Sequence, residues 1–451
     1  MYEILDEAAR TARRYLADIQ SRAVAPAASA VQGLAALNES LPRGPSDPRQ
    51  TLALLDRVVS PATMAMAGPR FFGFVIGGAL PVTLAANWLA GAWDQNAALY
   101  KPTPGVSALE QVALGWLIEL FELPTGTAAG FVTGATTANF TALAAARHRV
   151  LARAGWNVEA DGLFGAPPIA VVTGEEAHPT LLKSLGMLGL GRSRLARVPV
   201  DAQGRMRADR LPVLAGPTIV CLQAGNVNSG SFDPFPELIA WAHAAGAWVH
   251  VDGAFGLWAK AAPALRPLAH GLEHADSWAT DAHKWLNVPY DCGIALVRDA
   301  HALSAAMGIT AEYLPTDTPE RNPSDYTPEL SRRARGVEVW AALRSLGRAG
   351  LAELFERNCA QARRFAAGFA AAGYEVLNDV VLNQVLVAFG DAARTRRVIA
   401  AIQHEGTAWC GATVWQGRTA MRISVSSWAT TDRDVERSLA AMLEAAGAAG
   451  S

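Results

Sequence analysis

The stretch SWATDAHKWLNVPYDCGIALVRD, residues 277–299, contains two short β-rich runs with a histidine and a lysine between them. Similar runs lie upstream, at residues 168–173 (PIAVVT), 218–225 (TIVCLQAG) and 247–253 (AWVHVDG). Helix-like segments such as TTANFTALAAARHRVLARA separate the runs. This alternation predicts an α/β fold in which helices cover both faces of a large, mainly parallel sheet.

The β-rich runs end in side chains that can take part in chemistry. Asp252 ends one run, Asp281 ends the next, and Lys284 follows with His283 beside it. His178 comes after an earlier run. Because ligands of parallel sheets bind outside the carboxyl ends of the strands, we expect these side chains at one edge of the sheet.

These residue types suit a phosphorylated aldehyde cofactor with a pyridine ring. A lysine at the mouth of such a sheet can form a Schiff base. The turn at Gly134 opens a helix and offers backbone N–H groups to a phosphate. A buried acid such as Asp252 can pair with a protonated ring nitrogen, an attraction of roughly 4 kcal/mol at about 4 Å and an effective dielectric constant near 20. Each feature alone is more often a cap, a turn or a surface pair, so the prediction depends on their combination.

Two strings carry a resemblance to a known family. HVDGAFGLW (250–258) and ATDAHKWLNVPYDCG (279–293) resemble the cofactor-lysine region of the group II pyridoxal-phosphate-dependent amino acid decarboxylases, which include the aromatic-amino-acid and glutamate enzymes. The resemblance extends from about Phe71 to Ser426. It implies the fold of the PLP-dependent transferases, the aspartate aminotransferase-like fold type I, with a seven-stranded type of sheet in the large domain. It also implies pyridoxal 5′-phosphate as the cofactor.

The resemblance implies a role for each matching residue around the cofactor ring. Lys284 would carry the cofactor, and Asp252 would pair with the ring nitrogen. His178 would stack on one face of the ring, and Ala254 would support the other face. All but Ala254 are predicted catalytic residues.

The same resemblance implies how the cofactor's polar groups are held. His283, together with Ala135 and Thr136, would bind the phosphate. Asn226 falls where the family places a small polar residue near the ring hydroxyl. Thr137 stands where the family usually has an acid.

The reaction type is predicted from one tyrosine. Tyr313 lies in the polar, proline-rich stretch TAEYLPTDTPERNPSDYTPEL, residues 310–330, which predicts a lid over the site. It matches the family's lid tyrosine, which returns a proton to Cα after carbon dioxide leaves. A phenylalanine there would suggest oxidative aldehyde formation, so tyrosine favours simple decarboxylation to the amine.

Substrate class is predicted from the segment at Phe71. Phe71, Phe72 and Phe74 fall where the family lines its side-chain pocket, and Arg70 is the one cation there that could answer a second substrate carboxylate. A flat, apolar amino acid such as tryptophan, tyrosine or phenylalanine is therefore favoured over glutamate or aspartate. Both classes stay open at this point.

A further resemblance predicts a homodimer with the active site at its interface. Thr103, Pro104 and Glu110 are similar to the family element that supplies the partner subunit's share of the site. Residues 93–100 are then candidates to reach the partner. A capped surface helix is the alternative interpretation.

Three zones are expected along the chain. Residues 1–75 form helical segments that we expect to pack on the partner subunit. Residues 76–345 form the large cofactor-binding α/β domain, and residues 346–451 form a small α+β domain. The first zone has too few apolar residues to fold alone.

Composition excludes several other classes of protein. The net charge is −2 and no basic stripe is present, so no nucleic acid partner is expected. The sequence has no apolar stretch of membrane-spanning length, so no membrane association is expected. Its four cysteines stand far apart, which predicts reduced thiols in a cytoplasmic protein and no metal site. The partner expected is a small-molecule amino acid substrate.

Two alternative functions stay open from the sequence. One is a pyridoxal-phosphate-dependent carbon–carbon lyase of the sphingosine-phosphate type, which shares the aspartate and His-Lys elements. The other is a non-catalytic relative that acts as a binding subunit.

Overall fold

The computed structural model describes residues 2–309 and 319–449. The chain packs into two compact units. One comprises Met1–Ile76, Arg363–Leu377 and Val385–Ser451, and the other Gly77–Ala362 and Asn378–Gln384. The N-terminal helices and the C-terminal segment thus belong to one unit, whereas the sequence analysis assigned them to separate zones. The expected boundary at 345/346 falls inside a helix, since Gly336–Ala371 is one element interrupted only at Gly347.

Among the described residues, seven strands form the large sheet. They are β1 (Ala128–Val132), β2 (Ala170–Gly174), β3 (Ala196–Val198), β4 (Thr218–Gln223), β5 (Trp248–Asp252), β6 (Ser277–Asp281) and β7 (Gly293–Val297). Their order is β1-β7-β6-β5-β4-β2-β3, and β7 alone runs antiparallel to its neighbours. Every residue of β5, β6 and β7 is buried, as expected for a sheet covered on both faces. The predicted α/β class with a mainly parallel sheet is confirmed.

A smaller sheet contains the strands β8 (Glu375–Val376), β9 (Gln384–Ala388), β10 (Gly411–Trp415) and β11 (Arg418–Ser424), in the order β10-β11-β9-β8. The helices, in chain order, are α1 (Glu3–Asp18), α2 (Ala28–Gly33), α3 (Pro48–Leu54), α4 (Pro81–Trp93), α5 (Pro104–Leu120), α6 (Ala135–Arg153), α7 (Val158–Asp161), α8 (Pro179–Met187), α9 (Phe235–Ala244), α10 (Ala300–Met307), α11 (Gly336–Ala371), α12 (Ala392–Glu405) and α13 (Asp432–Ala448). No helix within the described ranges is long and apolar enough to cross a membrane.

Helix α6 lies closely against the centre of the large sheet. Its first turns carry small residues, and Ala138 packs in one buried cluster with Val132, Ala279 and Ala295. Small side chains at this contact allow the helix backbone to approach β1, β6 and β7. The N-terminus of α6 is thereby held at the edge of the sheet where β6 ends and β7 begins.

Candidate active site

Asp252 and Lys284 lie at the same edge of the large sheet. Asp252 ends β5, Asp281 ends β6, and the two strands pair in parallel. The pairing continues past the strand ends, because the Asp281 N–H donates to the carbonyl of Ala254 at 2.9 Å. Lys284 follows β6, with its Nζ 3.1 Å from Oδ2 of Asp281. The carboxyl ends of two neighbouring strands thus place two carboxylates and an amine at the same edge of the sheet.

The carboxylate of Asp252 is buried, with 5% of the residue exposed. Its Oδ2 accepts a hydrogen bond from Nδ2 of Asn139 at 3.2 Å, and its Oδ1 accepts one from the Ala254 N–H at 3.2 Å. Burial raises the pKa of Asp252, and the charges of His178 and Lys284 act in the opposite direction. The structure therefore brings Asp252, His178, Lys284 and Ala254 together.

The turn before α6 is packed too tightly for side chains. A Cβ added at Gly293, the first residue of β7, would lie 2.5 Å from Cα of Gly134. A Cβ at Gly134 would lie 3.1 Å from the imidazole of His283. The first backbone N–H of α6, on Ala135, donates to Oδ1 of Asp281 at 2.6 Å. This N–H group and the positive end of the helix attract an anion.

His283 presents an N–H group beside this turn. Its Nδ1 accepts a hydrogen bond from the Cys292 N–H at 3.0 Å, so the neutral ring carries its proton on Nε2. That Nε2 lies 3.6 Å from Oδ1 of Asp281. Tyr290 stacks on the imidazole with ring centroids 4.3 Å apart. Burial lowers the pKa of His283, which favours the neutral donor at neutral pH.

His178 directly precedes α8 and caps it. Its Nδ1 accepts a hydrogen bond from the Thr180 N–H at 3.3 Å and lies 2.6 Å from the Thr180 hydroxyl. These contacts at Nδ1 fix the orientation of the imidazole ring. Thr136, in the first turn of α6, contributes its carbonyl to a 2.8 Å hydrogen bond from Ser184 on α8. The two helix starts are therefore linked.

Asn226 is fully buried and orders the loop after β4. Its Nδ2 donates to Glu176 at 2.9 Å, and its Oδ1 accepts from the N–H groups of Asn228 and Ser229 at 2.8 and 3.2 Å. Both ends of the amide thus have protein partners. The contact with the cofactor's hydroxyl stays a prediction.

The three predicted pocket phenylalanines differ in exposure. Phe71 stacks on Trp409 with ring centroids 4.9 Å apart, and Phe72 meets the edge of Phe365 at 5.1 Å. Both are 1% exposed and belong to the core of their unit, whereas Phe74 is 56% exposed. Phe74 therefore offers the one open ring of the three. Tyr313 lies outside the described residues.

The element expected to serve a partner subunit is buried in its own chain. Glu110, on α5, is 1% exposed and accepts a hydrogen bond from Arg332 at 2.9 Å. Arg321 lies 3.5 Å from the other carboxylate oxygen. The hydroxyl of Thr103 donates to the carbonyl of Leu99 at 2.8 Å. A role for this element in a partner's site stays a prediction.

Three residues of the site were not assigned a role from the sequence. Asp281 and Tyr290 lie inside the quoted string, and the strand-end position of Asp281 was a usable signal. Asn139 had no such signal, because its contact with Asp252 joins residues 113 positions apart.

The residues present fit pyridoxal 5′-phosphate by the chemistry of their donor set. Lys284 supplies an amine, Asp252 a buried carboxylate, and α6 an N-terminus whose glycine-lined turn admits no side chain. His283 adds an N–H donor beside that turn. These are the groups that an aldehyde, a pyridine nitrogen and a phosphate require.

Comparisons with known proteins agree with this chemistry. The model of the pyridoxal-dependent decarboxylase conserved domain matches residues 32–390. Tryptophan decarboxylase 1 of Oryza sativa subsp. japonica is 29% identical over 417 residues, which cover 84% of this chain and 80% of that protein. L-2,4-diaminobutyrate decarboxylase of Rhizobium meliloti (strain 1021) is 30% identical over 387 residues, covering 80% of this chain and 75% of that protein.

A solved structure extends the match to the fold. The Oryza sativa TDC structure with PLP and tryptamine superposes with a TM-score of 0.91 at 25% identity, covering 98% of this chain and 97% of that one. The predicted fold type I is confirmed, and so is the predicted cofactor. With a lysine and an acid at the ends of adjacent strands and a family model matched over most of its length, this chain belongs to the pyridoxal-dependent decarboxylase family and is a PLP-dependent carboxy-lyase that acts on an amino acid.

Proposed function

We propose that the enzyme decarboxylates an aromatic L-amino acid to its amine and carbon dioxide. The relatives do not decide the substrate, since they include tryptophan and 2,4-diaminobutyrate decarboxylases and an acidic amino acid decarboxylase of Homo sapiens. The observation that carries the proposal is the environment of Arg70. Arg70 is the one cation beside residues 71–74 that was expected to be able to pair with a second carboxylate of an acidic substrate.

The guanidinium group of Arg70 is engaged inside its own unit. The residue is 3% exposed, and it donates to the carbonyls of Thr407 at 2.8 Å and Gln20 at 2.9 Å. Nη2 of Arg70 donates to the carbonyl of Arg22 at 3.3 Å, and Oδ1 of Asp434 lies 3.4 Å from Nη1. An arginine has five N–H donors in a fixed planar arrangement, and carbonyls and a carboxylate occupy several of them here. Arg70 is thus a structural cation, which supports an uncharged substrate side chain.

The open ring of Phe74 supports the same proposal. Its ring centroid lies 5.5 Å from that of Trp409. Phe74 and the next residue, Val75, have positive φ angles of 55° and 60°. Such angles are unfavourable for bulky and β-branched residues and are concentrated at functional sites. The backbone therefore holds an aromatic ring outward at a conformational cost, as a surface for an aromatic side chain would require.

The proposed roles rest on the contacts of Lys284, Asp252 and His283 and, for His178 and Tyr313, on the family resemblance. When bound, the cofactor withdraws electrons from the substrate's Cα. Lys284 would hold it through its amine, Asp252 would balance positive charge at its ring nitrogen, and His283 would donate a hydrogen bond to its phosphate. His178, fixed by Thr180, would support the ring. Tyr313 would return the proton to Cα.

A substrate panel tests this proposal. Purified enzyme with added pyridoxal 5′-phosphate is given tryptophan, tyrosine, phenylalanine, glutamate, aspartate and 2,4-diaminobutyrate, and both carbon dioxide and amine are measured. We expect kcat/KM for at least one aromatic amino acid to exceed that for every charged one by about tenfold or more, because burying an unpaired charge against aromatic rings is costly. Faster turnover of a charged amino acid would overturn the proposal.

We also propose that two copies of the chain form a homodimer through α4 and α5. Val82, Leu89 and Trp93 lie on one face of α4 and are 39%, 55% and 46% exposed. Val112 and Trp116, four residues apart on α5, are 44% and 36% exposed. Apolar faces of this kind on neighbouring helices are typical of protein interfaces. A second copy is the partner that the resemblance of residues 103–110 implies.

A cytoplasmic location is proposed on the basis of the thiols. All four cysteines are buried and none forms a disulfide. Reduced, buried cysteines are typical of proteins kept in a reducing compartment. Localisation of a tagged chain by fractionation of the source cells tests this.

A further inference from the structure

A chain of buried hydrogen bonds ends on the carboxylate of Asp252. Nε1 of Trp248 donates to the hydroxyl oxygen of Ser277 at 2.9 Å, and that oxygen lies 2.9 Å from Nδ1 of His250. Nε2 of His250 lies 2.8 Å from Oδ1 of Asn139. Nδ2 of Asn139 then donates to Oδ2 of Asp252 at 3.2 Å. The first three bonds join β5 and β6 to α6.

The direction of the chain is fixed at both of its ends. The indole of Trp248 can only donate, and an ionised carboxylate at Asp252 can only accept. Asn139 must therefore turn its N–H₂ group toward Asp252 and its oxygen toward His250. His250 must carry its proton on Nε2 and accept at Nδ1, so the hydroxyl of Ser277 donates to it. Each hydrogen bond in this series then has one donor and one acceptor.

The imidazole in the middle of the chain stays neutral. His250 is fully buried, and burial lowers its pKa to about 3. Asn139 and Ser277 are also fully buried. A neutral imidazole donates at one nitrogen and accepts at the other, as the hydrogen bonds from Trp248 to Asp252 require. These bonds connect protein groups directly, without a bridging water.

We propose that Asn139, His250 and Ser277 are positioning residues that hold Asp252 ionised and fixed for the cofactor's ring nitrogen. The inference rests on the role proposed above for Asp252. Of the two hydrogen bonds that the carboxylate of Asp252 accepts from the described residues, one comes from the Ala254 N–H in its own turn. The other comes from Asn139, one helical turn beyond the phosphate turn at Ala135. The acid and the phosphate seat are thus joined through one helix.

The test is the affinity for pyridoxal 5′-phosphate, measured by equilibrium titration of cofactor-depleted full-length protein. His250→Phe keeps a planar ring and removes both nitrogens. We expect its Kd for the cofactor to rise about tenfold, because the buried oxygen of Asn139 loses its partner and the amide is no longer held toward Asp252. His250→Gln, which restores one amide donor toward Asn139, is expected to recover part of the affinity. His243→Phe removes an exposed imidazole that faces Asp276 on the surface and is the matched control.

The pH profile separates positioning from simple loss of packing. Cofactor affinity is expected to fall as Asp252 becomes protonated, and in His250→Phe and Asn139→Leu this fall should begin at higher pH. Among the described residues, the other titratable groups that interact with Asp252 are His178, Lys284 and Cys221, and they are the same in every variant. A difference between variant and wild type therefore reports the hydrogen-bond chain. If His250→Phe or Asn139→Leu does not fold, Ser277→Ala is the smaller substitution that removes the hydroxyl donor to His250.

The outcomes distinguish this inference from the role of Asp252 itself. If Asp252→Asn weakens cofactor binding while folded His250→Phe and Asn139→Leu keep the wild-type Kd and pH profile, the positioning role is wrong and the role of Asp252 stands. If Asp252→Asn also leaves the Kd unchanged, the proposed role of Asp252 fails, and this inference fails with it. If the double variant Asn139→Leu/His250→Phe binds pyridoxal 5′-phosphate no more weakly than either single variant, the two residues act through the same series of hydrogen bonds.

Discussion

The buried carboxylate of Asp252 is costly to ionise, and its surroundings offset part of that cost. Desolvation raises its pKa, whereas the two N–H donors from Asn139 and Ala254 and the charges of His178 and Lys284 favour the ionised form. A cation placed against this carboxylate would interact strongly because little water screens it. Asp252 is therefore suited to pair with a protonated ring nitrogen.

Tyr313 provides a prediction at the residue scale. We expect Tyr313→Phe to bind pyridoxal 5′-phosphate with the wild-type Kd but to lose amine formation by at least about a hundredfold, because general acid catalysis contributes on this order. Amine and aldehyde products are measured together by chromatography. Tyr374→Phe, whose ring packs on Phe369 and Phe389, is the matched control.

Unchanged amine yield in Tyr313→Phe would remove this hydroxyl from the reaction. Aldehyde in place of amine would instead support its assignment as the group that returns a proton to Cα.

Residues at strand ends could be predicted from the sequence, and residues that reach them from elsewhere could not. Asp252, Lys284 and His178 each follow an apolar run, so the topology of a parallel sheet brings them to one edge. Asn139 and Arg70 differ. Asn139 contacts Asp252, 113 positions away, and Arg70 contacts residues from 48 to 364 positions away, so no local pattern records those contacts.

At the scale of elements, the contact between β7 and the turn before α6 determines the shape of the turn that we propose as the phosphate-binding site. Gly293 begins β7, and its Cα faces the backbone of Gly134 with no room for a methyl group. Because β7 pairs with both β1 and β6, it cannot move away without breaking two ladders.

Gly293→Ala is expected to weaken cofactor binding. The added Cβ would lie 2.5 Å from Gly134 and must displace the turn. Overpacking of this kind costs about 1–3 kcal/mol, so we expect the Kd for pyridoxal 5′-phosphate to rise between about fivefold and a hundredfold.

Gly447→Ala is the control for this substitution. Gly447 lies in α13 with nothing within 4 Å of an added Cβ, so its replacement should leave cofactor affinity unchanged. A wild-type Kd in folded Gly293→Ala would mean that the turn does not form the phosphate seat.

The alternation of strands and helices was predictable, but details of connection were not. The run at 168–173 overlaps β2, and the runs at 218–225 and 247–253 contain β4 and β5, since each is short, apolar and bounded by polar or glycine residues. The antiparallel direction of β7 was not predicted, because a buried run reads alike in either direction. The break at Gly347 inside α11, with φ of 58°, was also not predicted.

At the scale of the whole molecule, the proposed dimer makes a prediction. Leu89→Glu and Trp93→Glu place charges on the exposed apolar face of α4 and should convert the dimer to monomer in light scattering after size-exclusion chromatography. Activity should fall with the dimer fraction if the partner completes the site.

Val213→Glu and Phe164→Glu are the matched controls, since these side chains are each 98% exposed and lie outside α4 and α5. They should leave the oligomeric state unchanged. A wild-type protein that is monomeric at activity-assay concentrations, with full turnover, would contradict the proposal.

The division of the chain into units was only partly visible in the sequence. The sequence predicts a small domain from residue 346, but the boundary between the units falls within α11, at residues 362–363. That depends on tertiary packing, because the helix pattern is continuous in sequence there.

Identification of the lysine that carries the cofactor tests the central claim most directly. The chain has four lysines, Lys101, Lys183, Lys260 and Lys284. Lys260 is an internal comparison, because it is 3% exposed and paired with Glu122 and Glu273. Protein loaded with pyridoxal 5′-phosphate is reduced with borohydride, digested and sequenced by mass spectrometry. The account predicts the reduced cofactor on Lys284 and none in Lys284→Arg; a label on another lysine, or one that persists in the variant, would contradict it.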